Sequence, residues 1–149
     1  QNYYNETKSL SAIDIKEFSF LYILLKKPEL IKDNFNLIEN VKLFSSENKL
    51  LFKELTNQTN NFENDDIENL NIDRNLIDRV YKYASVKHIL IKNLRDDQKI
   101  VEILSEIIRD LKNYELEVRI TDLESRFSQD LSEATFNEIK ELKKLQKIN

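Results

Sequence analysis

The chain has 149 residues, 34% of them charged and 40% hydrophobic, with no Gly, Cys, Met or Trp and a single Pro, which reads as one soluble globular unit. Average usage would give a chain of this length roughly ten glycines, so their absence removes the Gly-rich phosphate loops, the dinucleotide fingerprint and the nucleophile elbow together. Without Cys there is no disulfide framework, thiol nucleophile or thiolate metal site, and one His cannot build a multi-His centre; no cofactor is expected. The net charge of -4 mixes both signs and lacks the basic footprint of a dedicated nucleic-acid binder.

Periodicity and capping predict an all-helical chain, since apolar alternation never persists and the Gly and Pro punctuation of hairpins is missing. The first helix is expected to start near residues 11–14, where Asp14 and Glu17 have capping-box spacing, and to bury Phe18, Leu21, Tyr22, Leu24 and Leu25. Pro28 ends it: Lys27 is expected to be extended, and a short second helix to open with Pro28, Glu29 and Leu30. Residues 37–43 are predicted as another short helix. Ser45 or Ser46 then caps a helix carrying Leu50, Leu51, Phe52 and Leu55.

The Asn-rich stretch 57–66 reads as a surface loop. Asp73 caps a helix with Leu76, Ile77, Val80 and Tyr81, and an apolar run 88–91 leads into a turn at 93–97. No breaker follows until position 129, which predicts a helix about 50 Å long at 1.5 Å per residue. Along it, Ile100, Ile103, Leu104, Ile107, Leu111, Tyr114 and Val118 share one stripe, whereas Leu116, Ile120, Leu123 and Phe127 lie almost opposite. The first half is therefore expected to face a bundle, residues 1–115. The second half needs its own partner, the terminal helix with Phe136, Ile139, Leu142 and Leu145, giving a projecting hairpin at 116–149. In its turn at 128–132, Asp130 and Glu133 have capping-box spacing and Ser132 competes as a cap.

Few constellations carry chemistry. The pairs Asp65 and Asp66, and Asp96 and Asp97, sit at predicted helix starts, where capping explains them better than catalysis. A metal-dependent hydrolase built on Asp65, Asp66 and Glu68 lacks His ligands. His88 has no Ser or Cys partner and reads as a packed or surface side chain. Between positions 74 and 95, Arg74, Arg79, Lys82, Lys87, Lys92 and Arg95 face one acid, Asp78. A solvated face accounts for them best, with a nucleic-acid backbone or an acidic peptide tail as the alternative occupant. Lys140, Lys143, Lys144 and Lys147 suit a helix C-terminus. A projecting hairpin cannot hide Phe127, Leu131, Phe136, Leu145 and Ile148 all at once, and exposed apolar groups on helices are a common recognition device.

Three stretches together resemble the C-terminal helicase-binding domain of bacterial DnaG-type primases. They are 18–30, FSFLYILLKKPEL, like the family's leucine-rich helix closing in a Pro-Glu-Leu corner; 43–57, LFSSENKLLFKELTN, like its serine-capped helix; and 104–145, like its long connecting helix and terminal hairpin. The resemblance implies a helical bundle followed by a helical hairpin, without catalytic residues, that docks onto the N-terminal domain of the hexameric replicative helicase. It brings primase to the replication fork and modulates the helicase. The parent chain would be a DNA-directed RNA primase. Some members also bind the acidic tail of single-stranded DNA-binding protein. The family usually tolerates a Gly in the hairpin turn and an Arg where Lys49 stands, so architecture is expected to transfer better than contacts.

The partner-binding residues expected on this basis are Phe127, Leu131, Phe136, Ile139, Leu142, Lys143, Leu145 and Ile148. Two alternatives stand beside this reading: the N-terminal domain of the replicative helicase itself, and an unrelated helical dimerisation or adaptor domain. A chain without Met that starts at Gln1 is expected to be a piece of a longer polypeptide. Residues 1–9 carry no apolar signal core and no stretch has the roughly 18 apolar residues of a membrane span, so a cytoplasmic location is expected.

Overall fold

A computed structural model describes residues 10–59, 72–130 and 132–148. The described residues are all-α, with eight helices: α1 (Ala12–Lys26), α2 (Glu29–Asp33), α3 (Phe35–Ile38), α4 (Ser46–Thr59), α5 (Arg74–Tyr83), α6 (Lys87–Lys92), α7 (Asp97–Asp130) and α8 (Glu133–Ile148). No helix among them is long and apolar enough to cross a membrane.

The body is built around α1. Every residue from Glu17 to Leu25 is buried, because apolar side chains occupy all sides of this helix and a helix apolar all round requires neighbours all round. Those neighbours are α2, α4, α5, α6 and the first half of α7. The amphipathic face expected from Phe18, Leu21, Tyr22, Leu24 and Leu25 is thus widened by Phe20 and Ile23, which are equally buried. Aromatic rings knit the contacts: Phe18 meets Tyr83 at 5.5 Å, Phe20 meets Phe52 edge-on at 5.3 Å, and Tyr22 meets Tyr81 edge-on at 5.7 Å. Burial pushes the Tyr22 phenol above its ordinary value.

The capping box of α1 uses Ser11 and Asp14, one position pair earlier than expected. The Asp14 amide donates to Ser11 Oγ at 3.3 Å and the Ser11 amide donates to Asp14 Oδ2 at 3.0 Å. That frees Glu17, which is wholly buried and faces the start of α4. Its carboxylate accepts from the Phe44 amide at 2.5 Å, the Ser45 amide at 3.3 Å and Asn48 Nδ2 at 3.0 Å. Carboxylates at a helix N-terminus satisfy orphan amides and oppose the positive end of the dipole. Here the carboxylate comes from a different helix. Ser45 is the local cap, accepting from the Asn48 amide at 3.4 Å.

The proline corner forms as expected, with Lys27 at φ -133° and ψ 70° and Pro28 at φ -61° and ψ -23°. The helix predicted at 37–43 is displaced: α3 ends at Ile38, and 41–44 is irregular, with Leu43 buried and Phe44 partly exposed. Glu17 holds the far end of this irregular segment through the Phe44 and Ser45 amides. Asp73 caps α5 through the Asn75 amide at 2.9 Å. Residues 57–59 of the expected loop belong to α4, and 60–66 lie outside the described residues. Of the apolar residues that α4 carries, Leu51 and Leu55 are buried and Leu50 is half exposed.

Lys27 fastens the proline corner to the start of α7, where its ammonium donates to Asp97 and, at 3.0 Å, to the Leu94 carbonyl. The hydrogen bond to Asp97 and the nearby charges of Asp97 and Glu29 hold its pKa above the ordinary lysine value, against the opposing effect of burial. Because the folded value is the raised one, its contribution is complete below the unfolded pKa and is lost as pH rises through the folded value, above 10.5. Asp97 is 70% exposed, so solvent screening keeps the contribution to about 1 kcal/mol. Lys27→Met is expected to lower the melting temperature by about 3 °C. Thermal melts against pH should show that gap flat to about pH 10 and closing above it; a gap that is constant to pH 12 would remove Lys27's charge as its cause.

Candidate functional site

The long helix serves two cores. Ile100, Leu104, Ile107 and Leu111 belong to the core around α1. From Leu116 onward the buried stripe has moved to the other side: Leu116, Ile120 and Leu123 pack against Ile139 and Leu142 of α8 in a separate core, with Phe127 at its edge. Seven-residue spacing along α7 keeps each stripe straight, and the shift from Leu111 to Leu116, about 500° at 100° per residue, turns the apolar side by roughly 140°. The terminal helix therefore folds back along the second half of α7, where its buried side chains pack.

Ser132 starts the return. Its hydroxyl accepts from the Thr135 amide at 3.1 Å and its carbonyl from the Phe136 amide at 3.1 Å. The side chain of Asp130, expected to share this role, lies outside the described residues, as does Leu131. Two ion pairs cross the seam on its opposite sides, Arg119 to Glu138 at 2.9 Å and Lys143 to Glu124 at 2.9 Å. Both are about half exposed, worth a few tenths of a kcal/mol each, and they set register more than stability.

The residues expected to meet a partner do not share one face. Ile139 and Leu142 are only 6% exposed, turned into the seam. Phe136 is 43% exposed; its ring lies 5.6 Å from Phe127 and carries the Lys140 ammonium at 4.7 Å. At about 100° per residue, Phe136, Lys140, Lys143 and Lys147 occupy one flank of α8, while Leu145, Ile148, Glu138 and Glu141 occupy the other. Leu145 is 50% and Ile148 81% exposed. The hairpin thus offers an aromatic flank with lysines and an aliphatic flank with glutamates, divided by its own core.

The other sequence candidates separate further. His88 is exposed on α6. Asp96 caps α7 through the Lys99 amide at 3.1 Å, as its position predicts, and Asp65, Asp66 and Glu68 lie outside the described residues. No cluster of three metal-ligating side chains occurs among the described residues. Of the basic segment, Arg74 pairs with Asp78 at 3.2 Å, Arg79 pairs with Glu47 and stacks on Phe18 at 5.3 Å, and Lys82 lies over Tyr83 at 5.2 Å. Among the described residues Lys87, Lys92 and Arg95 have no acidic partner.

The sequence reading missed two features. One is Glu17. The other is a groove of about 640 Å³ where segment 41–44 and the start of α4 face the middle of α7. No family model, curated protein or solved structure matches the chain.

Proposed function

We propose that this chain is a non-catalytic protein-interaction domain of the DnaG-type primase kind, which docks onto the N-terminal domain of the replicative helicase, recruits primase to the replication fork and modulates the helicase. One observation carries the reading: a single unbroken helix serves a bundle core on one side and a hairpin core on the other. That is the architecture the three resembling stretches imply, in the order they imply it. A hairpin with a thin core and large apolar side chains left exposed on both flanks suits helix-on-helix docking. Lys87, Lys92 and Arg95, without an acidic partner among the described residues, suit the acidic tail of single-stranded DNA-binding protein.

Titration calorimetry of the chain against the N-terminal domain of a replicative helicase from the same source tests the reading. Saturable binding is the expected result, and removal of residues 116–149 is expected to abolish it while the bundle stays folded by circular dichroism. No heat of binding near 100 µM, corresponding to an affinity weaker than about -5.5 kcal/mol, overturns it. Binding that survives the truncation moves the contact to the bundle.

A further inference from the structure

The groove lies where segment 41–44 and α4 face the middle of α7. Its apolar surface comes from Val41, Leu43, Phe44, Phe52 and Val118, of which Phe44 and Val118 are each 40% exposed. The Phe44 ring is held edge-on against Tyr114 at 4.9 Å, and its backbone amide is fixed by Glu17, so this wall is built rather than loose. A volume of about 640 Å³ lies within the range of sites that receive several side chains at once.

The charges around the groove are unbalanced in one direction. Its two acids are already engaged: Asp122 pairs with Arg126 at 3.1 Å, and Glu115 is shared between Lys42 at 3.5 Å and Lys112 at 3.3 Å. Arg119 is spent on Glu138 across the seam. Lys49, exposed at the groove, has no acidic partner among the described residues. Of the five charged residues that line the groove three are basic and two acidic, so Lys49 stands as the one uncompensated charge beside an apolar floor.

We infer that this groove binds an amphipathic helix of a partner protein, inserting a leucine or phenylalanine between Phe44 and Val118 and setting a carboxylate one turn away against Lys49. This is helix-in-groove recognition, in which apolar anchors supply affinity and rim charges fix orientation. The inference does not rest on helicase binding. Because the groove is walled by the body on one side and by α7 just beyond its last contact with the α1 core on the other, an occupant braces the hairpin against the body. Occupancy therefore fixes the bearing of the hairpin.

The test uses the whole chain, isotope-labelled, titrated with two helical 16-residue peptides that carry Leu and Phe at i and i+4 and differ only in having Glu or Lys one turn from the anchors. The Glu peptide is expected to shift the amides of 41–52 and 115–122 and to bind at least tenfold more tightly than the Lys peptide. Lys49→Glu should reverse that preference, and Val118→Asp should abolish binding of both; both positions are exposed, so the fold survives. Equal binding of the two peptides, shifts confined to other regions, or no binding overturns the inference. So does a concentration-dependent shift of the same amides without peptide, which assigns the groove to a second copy of this chain. None of these outcomes bears on calorimetry with the helicase, which reads the hairpin.

Discussion

Glu17→Ala is expected to destabilise the body by about 3 to 4 kcal/mol, more than any other single truncation of a polar side chain in it. The Glu17 carboxylate is wholly buried and accepts three N–H groups, from Phe44, Ser45 and Asn48. Hydrogen bonds to a charged acceptor contribute roughly 1.5 to 3 kcal/mol each, and donors left without a partner in the interior add their desolvation cost. The sum stays below three full bonds because Phe44 is partly exposed and water reaches its amide once the carboxylate is gone. Glu17→Gln keeps the volume but turns one acceptor into a donor facing an N–H, with an expected loss of about 2 kcal/mol. Urea unfolding measures both. An Ala variant within 1 kcal/mol of the native chain would show that segment 41–45 is held by something else.

Glu17 also marks where reading the sequence stops. Caps and stripes are local: Ser45, Asp73, Asp96 and Ser132 each satisfy amides within three residues, so spacing alone finds them. The two stripes of α7 were legible for the same reason, since a fixed rotation per residue places Leu111 and Leu116 on different sides before any partner is known. Glu17 has capping spacing from Asp14 as well, and on that criterion it belongs to α1. Its actual partners lie 27 to 31 positions away, and no local rule reaches them.

The candidate docking surface shows the same division. Periodicity identified Phe136, Ile139, Leu142 and Leu145 as the apolar residues of the terminal helix, but it does not say which of them the hairpin consumes. Only the antiparallel register, with Ile139 and Leu142 set against Leu116, Ile120 and Leu123, separates the seam from the two flanks. The groove between 41–44 and 115–122 was invisible because its two walls are remote in sequence and neither is apolar enough to draw notice. Lys49 and Val118 each read as ordinary surface residues until the fold brings both to the groove.

Ile139→Asp is expected to open the hairpin and leave the body intact. The seam rests on five buried side chains, Leu116, Ile120, Leu123, Ile139 and Leu142, with Phe127 alongside, and a two-helix unit with so small a core holds only a few kcal/mol of local stability. A carboxylate placed among them costs more than about 3 kcal/mol, enough to exceed that margin. The body has an independent and larger core, into which α7 is locked by Ile100, Leu104, Ile107 and Leu111. Amide exchange should therefore lose protection through α8 and along α7 beyond Leu116 while α1 keeps its own. In the helicase titration the same variant should behave like the truncation, because the two flanks hold their spacing only while the seam is closed. Loss of protection in α1 together with α8 would mean that the two cores fold as one cooperative unit. A variant with full protection in α8 would mean that the seam tolerates a charge, and the hairpin would then be a far stiffer platform than its five buried residues predict.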